Sequence, residues 1–161
     1  KEEDFPIFLQ NDMNLMHDPK YLTGINEAYD IITEEINAGK KIRVVGDYDI
    51  DGVCSSYILV KALKYFGANV DVRIPDRIKD GYGINDNIIK DAASDGVDMI
   101  ITCDNGIAAH SQMELARKLG IKVIITDHHE VYQENERDLL PVANVVIKFV
   151  SYFLRLFFCA K

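Results

Sequence analysis

The 161-residue sequence has few cysteines and relatively few positive charges. Cys54, Cys103 and Cys159 are odd in number and form no Cys-x-x-Cys pair, so neither a disulfide framework nor a cysteine zinc site is predicted. Reduced thiols in a cytoplasmic protein are the simplest interpretation. Eighteen Lys and Arg face 26 Asp and Glu, giving a net charge of −8, which argues against a generic basic surface for nucleic acids.

Common nucleotide-binding and hydrolase motifs are also missing. No Gly-x-x-x-x-Gly-Lys-Ser/Thr loop and no Gly-x-Ser-x-Gly turn occurs, which argues against a P-loop protein and an α/β-hydrolase. Residues 1–4 are charged and lack the apolar stretch of a signal peptide, although the absence of an initial Met leaves open that the chain is a fragment. The aromatic stretch 149–158 is shorter than the roughly 20 residues that span a membrane, so we expect no membrane partner.

Apolar periodicity divides the rest of the chain into alternating helices and strands. Predicted helices cover 25–36, 53–66, 85–94 and 108–119, and predicted strands cover 41–45, 69–74, 98–102, 121–126 and 142–147. This alternation predicts the α/β class, as a three-layer domain with a mostly parallel sheet of about five strands flanked by helices. The helix aromatics Tyr57, Tyr65 and Phe66 are interpreted as core residues.

Acidic side chains follow three of the predicted strands. The segment Asp47–Gly52 carries three aspartates, Asp104 follows the third strand, and Asp127–Glu130 follows the fourth with two adjacent histidines. Because the carboxyl ends of parallel strands meet at one edge of the sheet, these groups are expected to converge. Carboxylates with imidazole suit Mn²⁺, and a two-metal site would use all of them.

Two other classes of protein that contain similar acidic segments fit this sequence less well. An EF-hand loop starting at Asp47 needs a bidentate Glu at its twelfth position, where Ile58 stands. A haloacid-dehalogenase-type phosphatase needs Thr after Asp-Gly, where Val53 stands. Neither class is predicted.

The acidic segments resemble known motifs. The segments Asp47–Gly52, Asp104–Gly106 and Asp127–His129 together resemble the first three motifs of the DHH phosphoesterase superfamily. Ile74–Arg77 and Asp80–Gly83 are similar to a loop in its RecJ-type branch of single-stranded-DNA exonucleases. The three motifs in order are specific together, whereas any one alone would be weak.

The resemblance implies a role for each matching residue. By this resemblance, two Mn²⁺ or Mg²⁺ ions would be bound by Asp47, Asp49, Asp51, Asp104 and His128. The catalytic residues would be His129, which would contact the scissile phosphate, and Asp127, which would orient the site. The implied activity is two-metal 5′-to-3′ hydrolysis of single-stranded DNA, in DNA repair and recombination. The implied partners are single-stranded DNA and a helicase or single-strand-binding protein.

The predicted organisation is a lead-in and helix over 1–40, a DHH catalytic domain over 41–147, and an atypical aromatic tail over 148–161. The superfamily's Asn-Pro pair after the fifth strand, its fourth motif and its second domain are not found. We therefore expect the tail to mark a truncation or frameshift, and this chain alone to be inactive or nearly so.

Several other residues can be interpreted in more than one way. Arg77 and Tyr82 lie on a loop that could reach the site, as a phosphate clamp and a base-stacking platform, and Gly106 is a third candidate substrate contact. Cys54 and Cys103 are interpreted as small buried residues rather than ligands. His17 and His110 lie outside the motifs, and ordinary polar or capping roles are expected for them.

Two alternative functions remain open from the sequence. One is a DHH phosphoesterase that acts on nano-RNA, a cyclic dinucleotide or pyrophosphate. The other is a degenerate module that keeps the fold and serves as a non-enzymatic binding partner. Metal titration separates the second alternative, because a scaffold need not bind Mn²⁺.

Overall fold

The structure, a computed structural model, describes residues 21–129 and the backbone of residues 145–147. Its elements in chain order are α1 (Ile25–Asn37), β1 (Lys41–Val45), α2 (Ile50–Tyr65), β2 (Asn69–Arg73), α3 (Asp86–Ser94), β3 (Met99–Thr102), α4 (His110–Lys118), β4 (Lys122–Thr126) and β5 (Val145–Ile147). The predicted α/β class and five-stranded sheet are confirmed. The proposed lead-in up to residue 20 and the tail over 148–161 lie outside the described residues.

All five strands are parallel, in the order β2-β1-β3-β4-β5. From β1 the chain first adds β2 on one side and then crosses back to add β3 on the other. The connections therefore diverge between β1 and β3, which creates a crevice beyond the carboxyl ends of these two strands. The segments after β1, β3 and β4 lie side by side at this edge.

The central strands β1, β3 and β4 are buried by helices on both faces of the sheet. Alternating strand residues divide between two cores: Ile42 and Ile101 pack with α1 and α2, whereas Val45 and Ile100 pack with α3 and α4. Burial on both faces explains why these three strands are largely apolar, whereas the edge strand β2 is partly exposed and carries polar residues. Among the described helices, none combines the length and apolar character that crossing a membrane requires.

Helix α2 differs from the prediction in its start and in the face that it buries. It begins at Ile50, three residues before the predicted start, and its buried residues are Gly52, Ser56, Leu59, Ala62 and Leu63. Tyr57, Tyr65 and Phe66 are 65%, 69% and 43% exposed, so their assignment to the core was wrong. Because this helix is apolar on several sides, its periodicity did not identify the small-residue face that packs on the sheet.

The two cysteines near the acidic segments differ in their exposure to solvent. Cys103 is buried at the end of β3, as expected, whereas Cys54 is exposed on α2, so its predicted burial was wrong. Burial raises the pKa of the Cys103 thiol to about 11, so this group stays protonated and is a packing residue.

A buried arginine in the middle of β1 is paired with two carboxylates. Arg43 is 8% exposed, and its guanidinium donates to both carboxylate oxygens of Asp71 at 2.7 Å and to Asp95 at 2.8 Å. The bidentate contact with Arg43 holds the pKa of Asp71 below its usual value. This charge is therefore fully paired, and it joins β1 to β2 and to the end of α3.

Replacing Asp71 by Asn should reduce stability. Arg43 would keep only one carboxylate partner, and because Asp71 is partly exposed we expect a loss of about 1 kcal/mol in the free energy of unfolding. The folded pKa is lowered, so the stabilisation is present above the unfolded value of about 4 and is lost as pH falls through the folded pKa. Urea unfolding at pH 7 and pH 3 measures both effects.

The matched control is Glu114→Gln, which breaks exposed ion pairs with Arg117 and Lys118 on α4. No measurable change at pH 7 is expected for this control, because exposed pairs contribute little. An equal effect of the two substitutions at pH 7 would contradict a special role for the Arg43–Asp71 pair.

Candidate metal site

The first acidic residue, Asp47, lies directly beyond β1 and is 0% exposed. Neither of its carboxylate oxygens has a hydrogen-bond partner among the described residues. Unpaired buried carboxylates are strongly disfavoured, because ionisation in a low-dielectric environment requires a partner charge. A cation bound beside Asp47 would supply the partner that the described residues do not.

Two glycines allow the chain to enclose Asp47. A Cβ on Gly52 would lie 2.6 Å from the Asp47 backbone nitrogen and 2.7 Å from its Cα. A Cβ on Gly46 would lie 2.1 Å from Ser56 Oγ and 2.7 Å from Ile74 Cδ1. The start of α2 thus packs directly against the segment after β1, and only residues without side chains fit.

The other two aspartates of the segment belong to the start of α2. Asp49 is the N-cap, and its Oδ1 accepts a hydrogen bond of 2.8 Å from the Gly52 backbone nitrogen. Asp51 lies exposed in the first helical turn. Negative charge is favourable here because the helix N-terminus carries partial positive charge. Both carboxylates therefore stabilise the start of α2 whether or not a metal ion is bound.

The segment after β3 adds a second buried carboxylate. Asp104 is 2% exposed, and its backbone has a φ of 62°, in the left-handed region that Asp adopts more readily than most residues. Its backbone nitrogen donates to Thr126 O at the end of β4. Asp104 Oδ1, like both oxygens of Asp47, lacks a hydrogen-bond partner in the described part of the chain.

The two histidines complete the cluster from the segment after β4. His128 Nδ1 lies 3.3 Å and His129 Nδ1 lies 4.0 Å from Asp104 Oδ1. One ligand atom from each of these three residues falls within 4.8 Å of the others, and this is the single group of its kind within residues 21–129. An ion ligated by carboxylate and imidazole fits this donor set.

Asp127 differs from the other acidic residues because its oxygens are fully used. One oxygen accepts from the His129 ring at 2.7 Å and from its backbone nitrogen at 3.1 Å. The other accepts from the Ile107 backbone nitrogen at 3.0 Å. Asp127 therefore holds the His129 ring and the segment after β3 rather than offering an open ligand position.

Electrostatics around the cluster favour a bound cation. Burial raises the pKa of Asp104, and repulsion from Asp49 adds to this effect, although His128 opposes it. The hydrogen bond to Asp127 is the main cause of a raised pKa at His129. Burial and the nearby Asp47 also raise the pKa of Tyr82. Negative charge contributes to each of these shifts, and a divalent cation would neutralise it.

Two of the three candidate substrate contacts, Arg77 and Tyr82, lie on the loop between β2 and α3. The Tyr82 hydroxyl lies 3.1 Å from His129 Nε2, and its ring meets the Tyr48 ring edge-on at 6.1 Å. The Arg77 guanidinium lies over the Tyr48 ring at 5.2 Å. Arg77 and Tyr82 thus lie at the site, with Tyr48 between them. Gly106, on the segment after β3, has a φ of 105°, and a Cβ there would lie 3.2 Å from the Thr102 side chain.

Of the residues predicted for the metal, the structure brings Asp104 and His128 together and places the buried Asp47 at the neighbouring strand end. Asp49 is close enough to influence Asp104. Asp47, Asp49 and Asp51 all lie outside the compact ligand group that Asp104 forms with the two histidines among residues 21–129. His110, outside the motifs, is the first residue of α4, and its Nε2 is buried without a hydrogen-bond partner in the described chain.

Sequence reasoning assigned no role to Asn105, which fixes the geometry of the site. Its amide donates to the backbone oxygens of Val45 and Cys103 at 3.0 and 2.9 Å, and its carbonyl accepts from the Ile84 backbone nitrogen. It thereby joins β1, β3 and the loop that carries Tyr82. In the sequence, the only indication of this role is that Asn105 directly follows Asp104 at the end of a predicted strand.

Asn substitutions at Asp47 and Asp104 should separate stability from metal binding. Asp47 Oδ1 and Oδ2 and Asp104 Oδ1 have no hydrogen-bond partner in the described chain, so the metal-free protein should keep or gain stability in each variant. Each also removes a ligand, so the affinity for Mn²⁺ should fall at least about tenfold. Thermal unfolding with and without Mn²⁺, together with calorimetric titration, measures both effects.

The control for this experiment is Asp91→Asn, which removes an exposed carboxylate on α3, outside the acidic segments at the strand ends. It should leave the Mn²⁺ affinity unchanged. If Asp47→Asn or Asp104→Asn bound Mn²⁺ as tightly as the unmodified chain, these carboxylates would not be ligands.

Gly52→Ala tests the close packing around Asp47. The added methyl group would overlap the Asp47 backbone, so we expect a loss of about 1–3 kcal/mol in stability and weaker Mn²⁺ binding. Lys61→Ala on the same helix is the control and should change neither quantity appreciably. Unchanged unfolding and Mn²⁺ titration curves for Gly52→Ala would show that the two segments are not in contact as described.

Comparison with known proteins identifies the family. The model of the DHH family, N-terminal domain, matches residues 41–151. The single-stranded-DNA-specific exonuclease RecJ of Bacillus subtilis is 42% identical over 128 residues, which cover 80% of this chain and 16% of that protein. The RecJ of Escherichia coli is 40% identical over 127 residues, covering 78% and 21%. The chain thus spans less than a quarter of the length of these relatives.

Two solved structures share the fold. A crystal structure of exonuclease RecJ bound to manganese has a TM-score of 0.66 at 38% identity, covering 70% of this chain and 29% of that one. RecJ from Thermus thermophilus in complex with Mn²⁺ has a TM-score of 0.61 at 34% identity, covering 70% and 16%. From the family match and these relatives, the chain belongs to the DHH family.

Proposed function

We propose that the chain forms the metal-binding part of an exonuclease that hydrolyses single-stranded DNA. The observation that supports the proposal is the buried Asp104, whose Oδ1 lacks a hydrogen-bond partner and lies beside two histidines, with the buried and unpartnered Asp47 at the end of the neighbouring strand. RecJ relatives that bear the name of such an exonuclease, and crystal structures of RecJ with manganese, support the choice of reaction and ion.

Metal binding is assigned to Asp47, Asp49, Asp51, Asp104 and His128. Asp47 and Asp104 would supply oxygens that are already buried and free of other hydrogen bonds. Asp49 would use the oxygen that does not cap α2, and Asp51 would have to reach the ions from the exposed first turn. Two divalent ions, Mn²⁺ or Mg²⁺, would activate water and neutralise charge on the phosphate.

His129 is the residue assigned to the scissile phosphate. Its hydrogen bond to Asp127 raises its pKa, so the ring is predisposed to carry a positive charge beside an anionic group. Asp127 fixes the ring orientation by bonding both the ring and the His129 backbone nitrogen. A protonated His129 would place its positive charge beside a phosphate oxygen and stabilise the negative charge that develops there.

The remaining substrate contacts are assigned to Arg77, Tyr82 and Gly106. Arg77 lies at the rim against Tyr48, where its guanidinium could bind a phosphate of the strand. Tyr82 is 55% exposed, so part of its ring is open to a nucleobase. Gly106 would contact the strand through its backbone, at a turn where a φ of 105° and the nearby Thr102 side chain disfavour any larger residue.

The proposal extends to polarity and cellular context. We infer hydrolysis from the 5′ end, a role in DNA repair and recombination, a cytoplasmic location, and cooperation with a helicase or single-strand-binding protein. The resemblance to the RecJ-type branch is the support for these assignments. The alternative is a DHH phosphoesterase that acts on short oligonucleotides, cyclic dinucleotides or pyrophosphate, for which the same metal ligands would serve.

Substrate comparison tests the proposal. The chain, and a version extended to the length of its relatives, would be incubated with Mn²⁺ and a 5′-phosphorylated single-stranded oligonucleotide, a duplex, a dinucleotide or pyrophosphate. We expect single-strand hydrolysis to be fastest in the extended version, and EDTA to abolish it. Asp104→Asn should lower this rate at least about 100-fold because it removes a buried ligand.

Other outcomes contradict the proposal in distinguishable ways. Faster cleavage of the dinucleotide or pyrophosphate would favour the small-substrate alternative. Mn²⁺ binding without hydrolysis of any substrate by the extended version would indicate a non-enzymatic module. Full activity in Asp104→Asn would show that the site lies elsewhere.

A further inference from the structure

Both ring nitrogens of His129 are engaged by side chains from different parts of the fold. Nδ1 lies 2.7 Å from Asp127 Oδ1, and Nε2 lies 3.1 Å from the Tyr82 hydroxyl. The first contact is local in sequence, whereas the second spans 47 residues. A ring held at both nitrogens cannot turn about its χ2 angle without breaking a hydrogen bond, so its orientation is fixed from two sides.

The loop conformation that presents Tyr82 is built from specific residues. Gly81 and Gly83 flank it with φ values of 77° and 64°, which residues with side chains rarely adopt. A Cβ on Gly83 would lie 3.2 Å from Asn105 Cβ, and the Ile84 backbone nitrogen donates to Asn105 Oδ1. The loop is thus attached to the segment after β3, directly beside the metal site.

Neighbouring rings limit the movement of the Tyr82 side chain. The Tyr48 ring meets it edge-on with centroids 6.1 Å apart, and the His129 ring does so at 6.0 Å, with interplanar angles of 90° and 89°. Edge-to-face pairs of this kind are favourable and directional. The Tyr82 hydroxyl is also 3.5 Å from the Asp104 backbone oxygen, which supports its direction toward the site.

We propose that Tyr82 is a positioning residue, whose hydroxyl bonds His129 Nε2 and thereby fixes the orientation of the His129 ring beside the substrate. A hydroxyl can both donate and accept, so it can hold the ring whether Nε2 carries a proton or a lone pair. This function is separate from any stacking by the Tyr82 ring. It rests on the proposed role of His129 at the phosphate, and it predicts a pre-oriented ring before substrate binds.

Tyr82→Phe removes the hydroxyl and keeps the ring. In the ¹⁵N NMR spectrum of the histidine rings, the His129 Nε2 signal should shift in this variant; the signal is assigned from its loss in His129→Asn. Tyr57→Phe, which removes the hydroxyl of an exposed tyrosine on α2, is the matched control and should leave the signal in place. The measurement needs no hydrolysis, so it tests the Tyr82–His129 contact even if the proposed activity fails.

Kinetics then test whether the contact matters for the reaction. In the version that hydrolyses single-stranded DNA, Tyr82→Phe should lower kcat about tenfold with little change in KM, because His129 is misaligned while the binding surface is kept. Tyr57→Phe should match the unmodified protein. An unchanged His129 Nε2 signal in Tyr82→Phe would overturn the proposal. So would a normal kcat, or an effect on KM alone, which would indicate substrate contact instead.

Discussion

The burial of the Asp47 carboxylate without a partner is the constraint on which the site depends. An isolated ionised carboxylate in a protein interior carries a desolvation penalty of several kcal/mol, and the described chain offers no hydrogen-bond donor to offset it. The fold nevertheless forces Asp47 inside, because Gly46 and Gly52 allow α2 to start against it. Asp104 adds a second buried carboxylate from the neighbouring strand, and its Oδ1 also lacks a hydrogen-bond partner in the described chain. Binding of a divalent ion, as proposed, would offset this loss of stability.

The contrast with the middle of β1 shows that an unpaired buried carboxylate is a local feature. Arg43 is also buried, but Asp71 and Asp95 accept three hydrogen bonds of 2.7–2.8 Å from its guanidinium. The strand thus carries a paired charge at its centre and leads to a carboxylate without a hydrogen-bond partner beyond its end. Asp47 lies at the switch point between β1 and β3, where open parallel sheets place their ligands. Charge pairing, as well as topology, distinguishes the edge that carries the proposed site.

The sequence predicted the elements and their convergence well, because both follow from local patterns. Strand β1 ends at the predicted residue, and acidic groups at strand ends necessarily meet in a parallel sheet. Contacts between distant residues could not be predicted in the same way. The Tyr82–His129 pair and the Asn105 side-chain bonds depend on loop conformations set by left-handed glycines. Tyr57 was misassigned because helix α2 buries glycine and serine, which periodicity of apolar residues does not register.

Anomalous diffraction at the manganese edge, from crystals of the chain soaked in Mn²⁺, would locate the bound ion directly. We expect a peak within bonding distance of the Asp47 and Asp104 carboxylates and the His128 ring. Crystals of Asp104→Asn, treated identically, should show a weaker peak or none. Well-ordered crystals with no peak at this edge of the sheet, or with manganese bound only elsewhere, would show that these carboxylates do not form the metal site.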